Sequence, residues 1–579
     1  MAYASLKECV DDLTGAGKLR VVDAPLDCDL EVAAVHRRVF AAGGPAILFR
    51  NARGSSFPLV SNLFGTKERA YYILRHGLES ARTLLAARLS PADMAKHPLR
   101  AATLPAALSH ALPRFVKTGP SQDVSGRVAD LPRVRAWPRD GGPFVTLPQV
   151  YTEHPDAPGV MKSNLGMYRV QLGGNDYDED EVGLHYQIHR GIGVHHAAAI
   201  AKGEALRVNL FVGGPPAMTL AAVLPLPEGV PEVAFAGVLA GRAIRFVKDE
   251  PSPAIHADAD FVVRGVIEQG LKREGPFGDH LGYYSEAHDF PVMHVESVTH
   301  RKDAIWPFTV VGRPPQEDSI FGEIIHDLFG ATVASVVPGV RQVHAVDESG
   351  VHPLLLAVGS ERYAPYTKTT RPMELLTQAN AILGQGQMSL AKYLFIVDDG
   401  DVRADDIPAF FRYMLERVDP SRDLHFQTHT TIDTLDYSGT ALNEGSKLVI
   451  AACGEKKREL ASTSSNGHVA MPGVLVVSSR DEAERGGEGF PLVVIADDAE
   501  FTARTLANFL WVTFTRSDPA RHVDGVGAFT KDKAWGCTGA IIIDARIKPG
   551  QAPVLEEDPD VTERIEALAV AGGPLAGLF

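Results

Sequence analysis

Apolar and polar residues alternate in a two-residue period from Met167 to Leu172 and again from Leu184 to Ile188, which predicts two strands. Between them lies Asn175-Asp-Tyr-Asp-Glu-Asp180, whose mutually repelling carboxylates favour water and so predict a hairpin tip. Further strand patterns cover Leu206 to Val212, Ala243 to Val247 and Phe261 to Ile267; Pro291 is expected to break the chain before alternation resumes from Val292 to Val298. So many short strands hide their edges best in a closed or split barrel. On either side the spacing turns helical, at Leu6 to Leu13, Leu30 to Phe40 and Lys67 to Leu89 before it, the last interrupted near His76-Gly77. Ala46 to Phe49 is a short buried strand. After the barrel, 321–330, 373–385 and Pro408 to Arg417 read as helices, and Lys392 to Val397 as a buried strand. The fold class is therefore mixed α+β and α/β: an N-terminal α/β domain (1–115), a central split-barrel domain (116–318) and a C-terminal α/β domain (319–579) extended after about 450.

Composition narrows the classes. A chain of 579 residues with 45% hydrophobic and 22% charged residues folds into several domains. Its net charge of −15 argues against a general nucleic-acid or anionic-membrane surface. No apolar run approaches the ~20 residues of a membrane helix, and the N-terminus lacks a signal-peptide core. Cys9, Cys28, Cys453 and Cys537 lie far apart, so reduced thiols and a cytoplasmic location are expected. One internal echo occurs: Arg417-Val-Asp-Pro-Ser-Arg-Asp-Leu424 resembles Arg516-Ser-Asp-Pro-Ala-Arg-His-Val523. It reads either as duplication within the C-terminal domain or as a shared helix-ending turn.

Paired strands would place Asn164, Arg169 and His189 at neighbouring strand ends. Glu232, a carboxylate in an apolar run, needs a cation or partner if buried. Asn164, His189 and Glu232 together form a hard donor set suited to Mn²⁺ or Mg²⁺, although each residue also has an ordinary structural reading. In Arg273-Glu-Gly-Pro-Phe-Gly-Asp-His280 a tight turn holds Glu274 and Asp279 at a set separation. One carboxylate could stay ionised against Arg169 while the other, pushed up by burial, delivers a proton; the ordinary reading is an exposed acidic turn. Lys392 opens an apolar strand and could meet a phosphate, or it could snorkel to solvent. Gly213-Gly-Pro-Pro216 reads as a turn, and His280 and His326 as turn and helix residues. The trio also leaves room for a metal-dependent hydrolase.

Taken together, Asn164-Leu-Gly-Met-Tyr-Arg169, Gln187-Ile-His189-Arg-Gly191, Pro231-Glu232, Glu274-Gly-Pro-Phe-Gly-Asp279-His and Gly282-Tyr-Tyr284 resemble the UbiD family of reversible decarboxylases. Gly312-Arg-Pro-Pro315, Lys392 with Asp398-Asp399, and Thr431-Ile-Asp433 with Leu435-Asp436 extend the resemblance. It implies a flavin-reductase-like split barrel, prenylated FMN supplied by a flavin prenyltransferase, and K⁺ on backbone carbonyls. Mn²⁺ would sit on Asn164, His189 and Glu232. Met167, Tyr168, Arg169, Gln187 and Lys392 would also face the cofactor, Lys392 at its phosphate. Arg169, Glu274 and Asp279 would form the catalytic network, Asp279 exchanging the proton. Asp at 279 leans towards an aromatic or heteroaromatic acid over an α,β-unsaturated one. A homodimer or homohexamer is implied, and a non-catalytic flavin-binding subunit of a carboxylase complex is the alternative of another class. The loop Gly173 to Val182 and the region after Lys447 exceed the family's compact pattern.

Overall fold

Val170–Gln171 and Glu181–Leu184 pair antiparallel, with Leu184 opposite Val170; the second strand precedes the expected Leu184 to Ile188, of which 185 and 186 are outside any strand and 187–188 lie outside the described residues. The computed structural model describes residues 2–89, 96–186, 191–226, 230–363, 366, 371–398 and 400–579, without the side chains of 89 and 331–335. The hairpin belongs to a nine-stranded antiparallel sheet. Its path runs Phe144–Val145, Val170–Gln171, Glu181–Leu184, His288–His300, Phe261–Glu274, Leu206–Val212, Pro148–Glu153, Ser163–Gly166, with Val124–Gly126 beside His288–His300. Among the described residues no ladder joins its two ends, so the sheet is not a closed barrel. Yet only Met167, Tyr168 and Arg169 separate its last strand from its second. Four Cα–Cα steps reach at most about 14 Å, so the sheet coils until its far edge faces its near one. The expected break at Pro291 does not occur: His288–His300 runs through it. Pro291 faces Leu271, beside a register shift where the ladder is already interrupted. The acidic hairpin tip is pinned by Lys272, whose ammonium lies 3.1 Å from Asp178 and pairs with Glu181.

The N-terminal sheet, Leu19–Val22, Ala46–Phe49 and Leu59–Ser61, takes its fourth strand, Trp306–Phe308, from the end of the central region. The long helical pattern from Lys67 divides into Lys67–Leu74 and Leu78–Leu89 where the glycine predicted it.

The C-terminal region is duplicated. Its first five-stranded sheet runs Gln342–Ala345, Leu354–Val358, Tyr393–Val397, Glu444–Ala452, Leu424–Thr431. Its second runs His468–Met471, Val474–Val477, Leu492–Ile495, Ile541–Asp544, Val523–Gly525. Taken in chain order, both place their strands 1-2-3-5-4, with antiparallel, parallel, parallel and antiparallel neighbours. The echo seen in sequence is the end of an ungapped match from Val397–Leu424 to Ala496–Val523. Even a turn bond repeats: Asp423 accepts the amide of Asp419 at 2.8 Å, and His522 Nδ1 accepts that of Asp518 at 2.8 Å. The helices Ile407–Arg417 and Leu506–Thr515 lie at the junction, where Phe411 meets Phe509 at 6.0 Å in one shared apolar core. The tail then returns to the N-terminal domain, where helix Pro559–Ala569 packs on Glu31–Ala41 and Arg37 bonds Glu557 at 3.1 Å. No helix among the described residues is long and apolar enough to cross a membrane.

Candidate active site

The turn after strand Phe261–Glu274 is fixed by backbone contacts on several sides. Gln171 Oε1 accepts the Gly275 amide at 2.8 Å, and Asn175 Nδ2 donates to the Gly275 carbonyl at 2.8 Å. Asp140 Oδ1 accepts the Gly278 amide at 2.7 Å, and the Gly141 amide reaches the Pro276 carbonyl at 2.7 Å. Gly278 is required by space, since a Cβ there would stand 2.1 Å from the Trp137 ring. The result is a rigid mount for Glu274 and Asp279, both buried, Glu274 at 0% exposure. The exposed-turn reading is thereby excluded.

Arg169 enters from the seam between the sheet's ends. Its Nε and Nη2 donate to the two Glu274 oxygens at 2.8 and 2.7 Å, and its Nη1 pairs with Asp279. The guanidinium lies over Phe277 at 4.6 Å. His185 Nδ1 stands 3.2 Å from Glu274 Oε2, its ring 4.1 Å from that of Phe290. On the far side Asp279 Oδ1 accepts the His280 amide at 2.8 Å and faces His280 Nδ1 at 3.0 Å.

Burial alone would raise both carboxyls. Arg169, with His185, instead brings Glu274 down to about 2. His280 and Arg169 hold Asp279 far below the usual carboxylate range. Burial opposes the charge on His280, yet Asp279, with Asp433 and Asp318 behind it, raises it to about 9. His185 is lowered, by burial first and then by Arg169. The expectation that one acid of the pair is pushed up is therefore corrected: two flanking cations outweigh desolvation.

The first C-terminal unit closes this side. Tyr437 Oη accepts the Glu286 amide at 3.0 Å and its ring stacks 6.4 Å from that of His288. Asp433 lies 3.4 Å from His352 Nε2.

Of the expected metal trio, Asn164 and Glu232 come together: Glu232 Oε2 accepts the Leu165 amide at 3.3 Å, at the start of helix Glu232–Ala240. His189 and Gln187 lie outside the described residues. Met167 is tied by its amide to the Ala222 carbonyl at 3.0 Å, and the Tyr168 ring lies 6.2 Å from that of Tyr186. Lys392 does not snorkel to solvent. At 1% exposure its ammonium is taken up by Asp436 at 2.7 Å, Ser438 at 2.7 Å and the Ser517 carbonyl at 2.9 Å. Three acceptors around three N–H groups explain why so buried a lysine stays there. The turn at Gly213-Gly214 is likewise internal, its Gly214 amide held by Asp260 at 2.7 Å.

His185, His280 and Tyr437 were missed as site residues. The signal available for His280 was its adjacency to Asp279; His185 and Tyr437 carried none, because long-range packing brings them in. A cavity of about 550 Å³ lined by Arg341, Glu361, Arg362 and Asp398 lies away from this cluster.

Comparison with known proteins agrees with this geometry. Residues 10–88, 114–314 and 319–452 match the N-terminal, Rift-related and C-terminal domain models of the 3-octaprenyl-4-hydroxybenzoate carboxy-lyase family. A Chlamydia pneumoniae protein described as a subunit of 4-hydroxybenzoate decarboxylase is 37% identical over 566 residues, 94% of each chain. The fold resembles vanillic acid decarboxylase of Sedimentibacter hydroxybenzoicus in closed form, with TM-score 0.67, 21% identity, and coverage of 80% of this chain and 95% of that one. It also resembles a UbiD-class enzyme of Pelotomaculum thermopropionicum in complex with FMN, with TM-score 0.61, 24% identity, and coverage of 78% and 94%. On the three domain models and the relative matched along nearly its whole length, the chain belongs to the UbiD carboxy-lyase family.

Proposed function

We propose that this protein decarboxylates an aromatic or heteroaromatic acid with prenylated FMN, R–CO₂⁻ + H⁺ → R–H + CO₂, an α,β-unsaturated acid being the wider class. The observation that carries this is Arg169 held between two buried carboxylates, one of them 3.0 Å from His280 Nδ1. Glu274 stays ionised and fixes the guanidinium. The edge of Arg169 that faces Asp279 is the place for a substrate carboxylate. When that carboxylate engages Arg169, Asp279 shares its counter-ion and its proton affinity rises. His280, charged at neutral pH, supplies the proton across its 3.0 Å contact, and Asp279 delivers it to the carbon that lost CO₂.

The flavin, when bound, supplies the electron sink that no side chain offers. The residues present suit its metal. Burial raises the Glu232 carboxyl, which meets only backbone amide donors among the described residues, so a cation beside it would relieve the cost of burying its charge. Asn164 and Glu232, with His189, would hold Mn²⁺ at the cofactor phosphate; K⁺ would rest on backbone carbonyls. We read the coiled nine-stranded sheet as the split barrel that receives the flavin, with domains dividing near 115 and 318. A cytoplasmic homo-oligomer loaded by a flavin prenyltransferase completes the reading. Nothing in the site favours a hydrolase or a scaffold.

The test is protein co-produced with a flavin prenyltransferase, assayed for CO₂ release from aromatic acids including 4-hydroxybenzoate. Asp279→Asn should abolish turnover and deuterium incorporation into product while flavin absorbance persists. Retained turnover would remove Asp279 as the acid.

A further inference from the structure

The segment following Asp279 is gripped by residues far beyond 452, where the family's domain models end. Trp511, on helix Leu506–Thr515 of the second C-terminal unit, donates its indole N–H to the Leu281 carbonyl at 2.8 Å. Its ring stacks on Tyr283, 5.3 Å between centroids at 19°. Arg313 covers the indole at 4.2 Å and bonds Asn508 at 2.6 Å. The Tyr283 hydroxyl meets Thr515 at 2.9 Å and Arg516 Nε at 3.0 Å. The tail clamps the same stretch: the Tyr284 amide donates to the Pro553 carbonyl at 2.9 Å, and the Leu555 amide to the Gly282 carbonyl at 3.1 Å.

These contacts are not what joins the two C-terminal units, whose own interface is the phenylalanine core around Phe411 and Phe509. They run from the second unit to the central domain, two residues from the Asp279 carboxylate. A second line of contact reaches the other wall of the site. The Ser517 carbonyl accepts from Lys392, which also holds Asp436 and Ser438 on either side of Tyr437. Solved relatives match 78–80% of this chain along 94–98% of their own lengths, so a substantial part of this chain has no counterpart in them.

We propose that the second C-terminal unit is a working wall of the active site, in which Trp511 is a positioning residue that sets the Asp279–His280 pair against Arg169. The indole N–H fixes the height of the Leu281 carbonyl and the stacked ring fixes the tilt of the turn. A displacement there moves the Asp279 oxygens relative to the guanidinium, and small misplacements of reacting groups are costly.

The kinetic part of the test rests on the decarboxylase reading; the spectroscopic part does not. Trp511→Phe in the full-length, flavin-loaded protein keeps the ring on Tyr283 and deletes the N–H. Unfolding temperature should fall by about 2–12 °C, the loss of one buried hydrogen bond, while amide exchange across 279–285 should quicken about tenfold beyond the change elsewhere in the chain. The nuclear magnetic resonance titration of His280 should move down towards the ordinary histidine range. On any acid the parent turns over, kcat should fall about tenfold or more with KM and flavin content unchanged. Tyr283→Phe, which loses only the hydroxyl held by Thr515 and Arg516, should move the same readouts less, and it decides the matter should Trp511→Phe fail to fold. Unchanged exchange and unchanged His280 titration in the folded variants would overturn the proposal. A parent inert on every acid, with those two readouts shifted as expected, would refute the decarboxylase reading and leave the positioning role standing.

Discussion

Replacing Arg169 by methionine keeps most of the side chain's bulk and removes the charge that two buried acids share. The difference between an ordinary glutamate at 4.5 and Glu274 at about 2, at 1.36 kcal/mol per pH unit, is about 3 kcal/mol. Breaking a buried ion pair from one side independently costs about 3–5 kcal/mol, so the two routes agree. The folded value lies below the unfolded one, so this contribution is present above about 4.5 and is lost as pH falls towards 2. Without Arg169 the sign reverses at Glu274: the folded state then prefers that carboxyl protonated while His280 still faces Asp279, and stability should climb as pH drops from 7 to 5. Calorimetric unfolding at pH 5, 6 and 7 reads both effects. A loss of about 3 kcal/mol lowers the transition of a unit of ~200 residues by about 6–12 °C. Adding Glu274→Gln to Arg169→Met should recover part of the loss. A transition within about 2 °C of the parent, or an unchanged pH slope, would refute the claim that the guanidinium holds Glu274 ionised.

Two more outcomes follow from the same turn. Gly278→Ala sets a methyl 2.1 Å from the Trp137 ring and should cost about 1–3 kcal/mol in denaturant titration, whereas Gly270→Ala, with nothing within 4 Å, should be nearly neutral. His280, raised from 6.5 to about 9, stays charged through neutral pH and loses its charge as pH rises through 9; its contribution to stability is complete below about 6.5 and lost over the same rise. Turnover should therefore fall on the alkaline side near that value, and His280→Gln should lower kcat and abolish that limb.

The strands and helices were legible because one face of each is buried, which writes its period into the chain. The helix split at His76-Gly77 and the strand from Tyr393 follow from that rule; the second strand of the hairpin, expected from Leu184 to Ile188, falls at Glu181–Leu184 because the pairing with Val170 and His288–His300 sets its span. Pro291 misled because a local rule about ladder donors does not see the register shift opposite it. At the site, the Glu274–Asp279 turn announced itself through its glycines and proline. The direction of its acids' titration did not, since that depends on Arg169 and His280 arriving from two sides at once. The snorkelling reading of Lys392 failed for the same reason: its partners Asp436, Ser438 and Ser517 are distant in sequence, the last in the second unit. The eight-residue echo could be weighed only against a common turn until matching strand orders settled it as duplication.

Two like units on one polypeptide are free to diverge, which identical protomers are not. In the first, the crossing between the fourth and fifth strands brings Asp433 to His352 and Tyr437 to His288 and Glu286. In the second, the equivalent crossing is drawn out into the hairpin Ala528–Lys531 and Ala534–Cys537, its tip open to water. Every mutation in a true homodimer is expressed twice, once on each half; here each half can be tuned alone. The chain thus carries its two unlike halves in a fixed one-to-one ratio at any concentration.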